Sequence, residues 1–183
     1  LLISFFNARF DPQAKTAEKV INKLLATLEA SLDKVANLDD DRIIRRFIEM
    51  MQATIRTNYF QPDANGEDKS YISFKIMPDQ ITDVPLPLPK FEIFVYSPKV
   101  EGVHLRGGKV ARGGLRWSDR MEDFRTEGLG LVKAQMVKNA VIVPAGAKGG
   151  FVAKQLKKFA SRDEVQAEVI RCYTTFISGL LDI

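Results

Sequence analysis

The chain has 183 residues, 45% of them hydrophobic and 27% charged, with a formal net charge of +4. This length suffices for one domain with a substantial core, and the ordinary globular composition excludes low-complexity classes. The mild basic charge permits anionic ligands without requiring nucleic acid, because a solvated basic surface is the commoner cause. A single cysteine excludes an internal disulfide and fits a reducing compartment, so we expect a cytoplasmic protein.

Residues 1–60 are predicted to form an amphipathic helical hairpin that leads into the rest of the chain. We expect the first helix to start at Asp11-Pro12, since aspartate is a good N-cap and proline suits the first helical position. Apolar residues recur at helical spacing, first at Val20, Leu24, Leu28, Leu32 and Val35 and, after the aspartates at 39–41, at Ile44, Phe47, Ile48, Met51 and Ile55. Such stripes form a core more often than a cofactor site, so we infer no function from them.

Residues 61–183 are predicted to form an α/β domain with a mixed sheet flanked by helices. Alternating, β-rich runs predict strands at 71–76 and 91–96, and the stretches 101–105 and 111–117 add further strand. This half of the chain therefore carries the sheet on which any ligand site would be built.

Helices and a buried strand follow in the same half of the chain. Asp119 with Glu122 resembles a capping box, which predicts a helix over about 120–139. The short apolar run at 140–143 is typical of a buried strand, and the small residues at 146–150 predict a loop at its C-terminal end, where ligands of open α/β sheets usually bind. A second capping box, Ser161 with Glu164, predicts the start of the last helix.

Two glycine-flanked cations bracket the segment that is most indicative of function. They are the tripeptides RGG at 112–114 and KGG at 148–150. Glycines let a backbone and a ligand approach closely, and fixed cations bind carboxylate or phosphate. Between them, Gln135 and Lys138 lie one helical turn apart, just before the predicted buried strand. Together these residues predict an anion-binding pocket.

Several other kinds of site are excluded or disfavoured. The segment 145–150 is not a phosphate-binding loop, because Gly149 stands where that motif requires Ser or Thr, and it has no GxGxxG fingerprint. His104 is the only histidine, so neither a Ser–His–Asp triad nor a histidine metal site is expected. Cys172 falls on an apolar helix face and is expected in the core, and the aspartates at 39–41 are expected to favour a helix start.

Another class of function stays open at this point. Five basic residues could form a stripe for nucleic acid or another anion in a non-catalytic module: Arg106, Lys109, Arg112, Arg116 and Arg120. Only Trp117 offers a stacking ring nearby, and no nucleic-acid motif is present. A purely structural role, with the glycines serving packing, is the third possibility.

The motif set resembles the substrate-binding domain of glutamate dehydrogenases. RGGLRWSDR at 112–120, together with VKNAVIVPAGAKGG at 137–150, is similar to the large, NAD-specific bacterial type. The close resemblance covers about residues 109–183. It implies that Lys148 is the catalytic lysine, which helps to convert glutamate to the imino acid and activates the water that hydrolyses it.

The same resemblance implies the binding roles. Lys138 and Gln135 match the residues that hold the α-carboxylate of the substrate. Arg112 stands where smaller members carry a lysine for the side-chain carboxylate, which an arginine could bind bidentately. Gly113 and Gly114 match backbone positions that line the substrate. The segment 138–148 is shorter than in the small enzymes, which have a second glycine beside the position of Gly146.

The resemblance also implies the overall activity and its requirements. It implies oxidative deamination of L-glutamate to 2-oxoglutarate and ammonia, with NAD bound by a domain absent from this chain. The catalytic aspartate of the family is expected beyond residue 183, so we expect a segment of a longer protein that is inactive in isolation. We expect a homo-oligomer for the full-length protein, no metal, and neither nucleic acid nor a membrane as partner.

Overall fold

The computed structural model describes residues 1–138, 145–158 and 160–183, with the side chain of Lys138 left aside. The chain divides into two compact units, Leu1–Thr54 and Ile55–Ile183. The division into residues 1–60 and 61–183 that the sequence suggested stays a prediction.

The first unit is helical. It contains α1 (Leu2–Phe10), α2 (Glu18–Leu32) and α3 (Leu38–Ala53). Four buried side chains form its core: Phe5, Leu28, Leu32 and Ile48. The predicted amphipathic hairpin is therefore present as α2 and α3, and α1 precedes it as a helix that the sequence did not predict.

The predicted helix start at Asp11-Pro12 is wrong. Asp11 follows α1, and its backbone N–H donates to the carbonyl oxygen of Asn7 at 2.9 Å. Its carboxylate accepts a hydrogen bond from the N–H of Gln13 at 2.8 Å. The carboxylate that would cap a new helix therefore closes a turn behind α1, and α2 begins only at Glu18.

The start of α3 follows the prediction more closely. The side-chain oxygen of Asn37 accepts from the N–H groups of Asp39 at 2.8 Å and Asp40 at 3.4 Å, which satisfies two donors of the first turn. Three aspartates lie in that turn, where the helix dipole favours negative charge. The predicted apolar face is narrower than expected, because Phe47 is 56% exposed and Ile55 belongs to the strand that follows.

The second unit is built on a mixed sheet in which seven strands are described. They are β1 (Thr54–Thr57), β2 (Ile72–Ile76), β3 (Phe91–Tyr96), β4 (Val100–Arg106), β5 (Ala111–Arg112), β6 (Leu115–Trp117) and β7 (Ala145–Ala153). The order is β1-β2-β3-β4-β7-β5, and β6 also pairs with β7. Strands β2, β3, β4 and β7 pair antiparallel, whereas β5 and β6 run parallel to β7. The predicted α/β fold class, a mixed sheet flanked by helices, is confirmed.

Two helices, α4 (Phe124–Lys138) and α5 (Arg162–Leu181), cover opposite faces of this sheet. Side chains alternate between faces along a strand. One core lies against α5 and includes Val95, Val100, Phe151, Cys172 and Phe176. The other lies against α4 and consists of Val103, Leu105, Phe124, Leu129, Val132 and Val152. Cys172 is thus a core residue, as predicted.

The two helices differ in how well the sequence locates their starts. The capping box of α5 is confirmed, since the Ser161 hydroxyl accepts from the N–H of Glu164 at 3.2 Å and the Glu164 carboxylate accepts from the N–H of Ser161 at 3.0 Å. Helix α4 instead begins at Phe124, later than predicted. The Ser118 hydroxyl accepts from the N–H of Arg120 at 3.1 Å, which holds the chain in a turn where the first helical turn was expected.

Candidate functional site

The segment 146–150 is strand, and its prediction as a loop is wrong. It lies inside β7, the longest strand, between β4 on one edge and β5 and β6 on the other. Main-chain pairing on both edges holds this glycine-rich stretch extended, a long-range effect that local composition does not report. The strand predicted at 140–143 lies outside the described residues. Lys148 therefore stands on a central strand, in register with Leu105 of β4.

The RGG tripeptide runs alongside the KGG tripeptide. Arg112 is in register with Gly146, and Leu115 with Gly149. A Cβ on Gly113 would overlap the carbonyl oxygen of Ala147, so only glycine allows this approach. The N–H of Gly149 donates to the carbonyl oxygen of Gly114 at 3.3 Å. The glycines of the two motifs thus bring two backbones together.

Gln135 joins α4 to this pair of strands. A Cβ on Gly146 would lie 2.9 Å from Cγ of Gln135, so the glutamine side chain rests on the glycine backbone. Its Nε2 donates to the carbonyl oxygen of Arg112 at 3.2 Å. That bond fixes which end of the amide carries the nitrogen, since a carbonyl oxygen only accepts. The other end, Oε1, is buried and has no hydrogen-bond partner among the residues that the structure describes.

Lys148 shares a sheet face with Gln135. Residues 146, 148 and 152 alternate onto the same face of β7, and Val152 belongs to the core beneath α4. The Gln135 side chain contacts Gly146 on that face. The Cα of Lys148 lies two residues further along the strand, about 7 Å from that of Gly146. The lysine is half-buried. The structure therefore joins Gln135 to the backbones of Arg112 and Gly146, and places Lys148 two residues further along the same face of β7.

Two predicted site residues are placed only in part. Lys138 is the last residue of α4, one turn beyond Gln135, and its side chain is outside the described atoms. Arg112 is exposed at the end of β5. Their backbones flank Gln135 on the helix and on the strand, and the grouping of their side chains in one anion-binding pocket stays a prediction.

Three polar links that the sequence did not predict hold α4 in place. Arg125 forms a bidentate ion pair with Glu92 of β3, at 2.8 and 2.7 Å. The Ser118 hydroxyl donates to the carboxylate of Glu127 at 2.6 Å, and Arg116 pairs with the same carboxylate at 3.3 Å. Each joins two different elements or an element to a loop, and the Arg125–Glu92 pair spans 33 residues, so helical or strand periodicity does not indicate them.

The basic stripe proposed for nucleic acid is not a single surface. Arg116 is in register with Gly150 and pairs with Glu127 of α4, so it lies on the α4 face. Arg106 is in register with Ala147 and lies on the opposite face. Arg120 forms an ion pair with Asp123. The five cations are thus divided between two faces and partly neutralised, which disfavours nucleic acid as the ligand.

Metal, thiol and dinucleotide chemistry find little support in the described part of the chain. No group of three or more His, Cys, Asp or Glu side chains within it could hold a metal ion. Burial raises the pKa of the Cys172 thiol to about 11, so at neutral pH it stays protonated. The N-terminus of α5 is already capped by Ser161 with Glu164, and the 118–123 connection into α4 has no glycine. Neither of these junctions offers the turn that a dinucleotide pyrophosphate needs. In residues 1–138, 145–158 and 160–183, no helix has the length and apolar character needed to cross a bilayer.

Comparison with known proteins identifies a family. Residues 27–183 match the family model described as the catalytic domain of bacterial NAD-glutamate dehydrogenase. The match begins within α2 and includes the whole second unit.

Relatives with high identity carry a consistent name. The chain is 62% identical over 186 residues to an NAD-specific glutamate dehydrogenase of Pseudomonas aeruginosa, 57% identical over 182 residues to that of Halomonas elongata, and 51% identical over 190 residues to that of Mycobacterium tuberculosis. Each alignment covers 100% of this chain and only 11–12% of the relative.

Proposed function

Because the chain belongs to the family of bacterial NAD-glutamate dehydrogenase catalytic domains, we propose that the protein containing it oxidatively deaminates L-glutamate to 2-oxoglutarate and ammonia, with NAD as the oxidant. The relatives are named as NAD-specific enzymes of this kind. This chain contributes the carboxylate-binding groups and the catalytic lysine. The observation that carries the proposal is the position of Lys148 on the α4 face of β7, two residues from Gly146, against which the Gln135 side chain rests.

The cations account for binding of a dicarboxylate. Lys138 and Arg112 stand at the ends of α4 and β5 that Gln135 joins. We assign the α-carboxylate to Lys138 and Gln135, and the side-chain carboxylate to Arg112, whose guanidinium can bind it bidentately. Two cations on two carboxylates fix the position of the Cα between them, which orients its hydrogen for removal.

Gln135 has one donor left for this task. A primary amide carries two N–H donors, and one is used by the carbonyl oxygen of Arg112. The second N–H can donate to the α-carboxylate, and the unpartnered Oε1 can accept from the α-ammonium. A buried acceptor without a partner costs about 1–3 kcal/mol, so a ligand that satisfies it gains affinity.

Lys148 is assigned the proton transfers. It follows the backbone that Gly113 approaches and stands half-buried on a fixed central strand, so its ammonium reaches the pocket from a rigid base. In this role it takes up the proton released as the α-amine becomes an imine and delivers a water to the imine carbon.

The remaining features concern the whole protein. We propose that NAD is bound by a domain outside residues 1–183, that the whole protein is a cytoplasmic homo-oligomer acting in amino-acid catabolism, and that residues 61–183 are its substrate-binding domain. The family resemblance and the relatives' names support the cofactor. The presence of only one cysteine, which fits a reducing compartment, supports the cytoplasmic localisation.

The test is a titration of the 183-residue chain with 2-oxoglutarate, followed by NMR. We expect saturable shifts of the amides of 112–115 and 146–150, weakened at least tenfold by Lys148→Ala and by Lys138→Ala. Lys133→Ala, on the exposed side of the same helix, is the matched control and should bind normally. Shifts that persist unchanged in both site variants would contradict the assigned pocket.

The catalytic role is tested in the full-length protein. We expect Lys148→Ala to lower kcat by about a hundredfold or more, the usual contribution of a positioned general acid or base. The isolated 183-residue chain should show no glutamate oxidation. A full-length Lys148→Ala variant with normal kcat would contradict the assignment.

A further inference from the structure

The face of the sheet opposite Lys148 carries a second group of cations. Lys75 of β2 is in register with Ile93 of β3, which is in register with His104 of β4. Residues in register across neighbouring strands point to the same face, and Ile93 belongs to the core beneath α5. Lys75 and His104 therefore lie on the α5 face, with two strand spacings, about 9.5 Å, between their backbones.

Arg106 lies on the same face as His104, two residues further along β4. It is in register with Phe91 of β3 and with Ala147 of β7. The Lys75 ammonium lies 5.2 Å from the centre of the Phe91 ring. Because Phe91 is the cross-strand neighbour of Arg106, the ammonium extends from its own position on β2 toward Arg106. Arg56 of the neighbouring strand β1 is close enough for its charge, like that of Arg106, to lower the pKa of Lys75, after burial as the larger cause. The four residues Arg56, Lys75, His104 and Arg106 are called the cation cluster below.

The cation cluster is not neutralised from within. None of its members forms an ion pair with a carboxylate of the described residues. Glu92, the carboxylate on β3 between these rows, alternates onto the other face and pairs with Arg125 of α4. By contrast, Arg116, Arg120, Arg125, Lys69 and Lys154 all have a carboxylate partner.

One donor of the cluster is buried without an acceptor. Nη2 of Arg106 donates to the carbonyl oxygen of Lys109 at 3.0 Å, while its Nε is buried and has no hydrogen-bond partner in the described part of the chain. Leaving a charged donor unsatisfied costs more than leaving a neutral one. An external acceptor at this position would remove that cost.

We propose that the cation cluster is a binding site for a compact oxyanion of the phosphate class, separate from the pocket of Lys148. Three fixed positive charges and an imidazole that can gain a fourth match a group with two or more negative charges. A phosphate oxygen can accept from Nε of Arg106, and other oxygens of the same group can reach Lys75 and His104. The ligand is expected to be a phosphate or diphosphate, or a small molecule that carries one.

The environment of His104 gives this site its own reporter. His104 is the only histidine of the chain, so its Cε1 resonance is unambiguous. Among the described residues, Arg106 is the charged group that acts on it, and Lys75 lies two strands away on the same face; on the β7 side, His104 and Leu115 both lie against Gly149, and neither Leu115 nor Gly149 carries a charge. Burial, and then the charge of Arg106, hold its pKa below the ordinary value of 6.5. A bound oxyanion favours the imidazolium and raises that pKa.

The experiment is an NMR titration of the 183-residue chain with inorganic pyrophosphate, and separately with phosphate, at constant ionic strength set by sodium chloride. We expect a saturable shift of the His104 resonance and a rise in its pKa of about one unit, equivalent to about tenfold tighter binding to the protonated form. Arg106→Gln and Lys75→Gln should each weaken binding at least tenfold. Because Lys75 is less buried than Nε of Arg106, its variant retains the fold if the other does not.

Two controls separate this site from other effects. Lys23→Gln, an exposed charge on α2, should leave the titration unchanged. Lys148→Ala should also leave it unchanged, so that failure of the dicarboxylate pocket and failure of the cation cluster are distinguished. A linear shift without saturation, or equal affinity in the wild type, Lys75→Gln and Lys23→Gln, would overturn the proposal and mean only general charge screening.

Discussion

The two faces of the sheet are held by different kinds of contact. On the α5 face, an apolar helix stripe with Val169, Cys172 and Phe176 packs directly on the strands. On the α4 face, the apolar core is smaller. The helix is also held by an ion pair near its N-terminal end and by a hydrogen bond from the Gln135 side-chain amide near its C-terminal end. The α5 helix is held by apolar packing, whereas the α4 helix is also held by polar links to the strands, and Lys148 lies on the face that α4 covers. The cations of the α5 face, Lys75, His104 and Arg106, are not linked to α5 by any ion pair among the described residues.

The largest effect should follow from a change on the α5 face. Phe176 is 0% exposed and its ring lies 5.8 Å from that of Phe151. We expect Phe176→Ala to lower the free energy of unfolding by about 3–5 kcal/mol, since it leaves a cavity in the main core. Urea denaturation measures the loss. Ile170→Ala on the same helix, 54% exposed, should cost less than about 1 kcal/mol, and equal losses would contradict the burial of Phe176 in the core beneath α5.

The next effect concerns the ion pair beneath α4. Glu92 is 7% exposed, so Arg125→Met leaves a buried carboxylate without its partner. We expect a loss of about 2 kcal/mol in the free energy of unfolding, less than for a fully buried pair because Arg125 is partly exposed. The double variant Glu92→Met with Arg125→Met should recover most of that loss. A double variant as unstable as the single one would show that packing, not charge, holds this end of α4.

A smaller effect on stability should accompany a larger one on binding at Gln135. Gln135→Ala removes the bond to the Arg112 carbonyl oxygen and should cost about 1 kcal/mol in the free energy of unfolding. Because the variant also removes a proposed ligand of the substrate, we expect 2-oxoglutarate affinity to fall by at least tenfold. Gln155→Ala is the control. It removes a similar hydrogen bond, from the Gln155 side-chain amide to the carbonyl oxygen of Pro98, and should leave the affinity for 2-oxoglutarate unchanged.

The smallest effect is a pH dependence from the cation cluster. Burial, then Arg106, depresses the pKa of His104 below 6.5 in the folded chain. The unfolded chain therefore takes up the proton first, so the contribution of His104 to the free energy of unfolding is fully present above pH 6.5 and falls as the pH drops below it. We expect His104→Gln to reduce this fall between pH 7.5 and 5.5 in urea denaturation. An identical pH profile in the variant would mean that His104 titrates normally.

Periodicity and capping signals located the elements whose structure is decided locally. Strand β3 has the predicted bounds, and α5 starts at the predicted capping box, because alternation and an Ser–x–x–Glu pattern act within a few residues. The helix start predicted at Asp11 is wrong because its local signal has two meanings. An aspartate can cap the start of a helix, and it can also accept hydrogen bonds in the turn that follows one. Here Asp11 follows α1, so the second case applies.

The candidate site was predictable in composition and not in architecture. The sequence identified the RGG and KGG motifs and Gln135 between them. It did not show that 146–150 is a strand, because pairing with β4, β5 and β6 depends on residues far away in the chain. Nor could it show that the Gln135 amide is joined to the Arg112 backbone. The roles of Lys148, Lys138 and Arg112 stay predictions.

The contrast between Gly113 and Gly146 has a consequence for how this segment can vary. The obstacle to a larger residue at Gly113 is a main-chain oxygen, that of Ala147, which no substitution elsewhere removes. At Gly146 the obstacle is the Gln135 side chain, which a shorter residue would clear. In a library selected for folding, Gly113 should therefore be fixed and show no co-varying partner, whereas alanine at 146 should be recovered together with small residues at 135. Deep sequencing of such a library would separate glycines required by the backbone from those required by a neighbouring side chain.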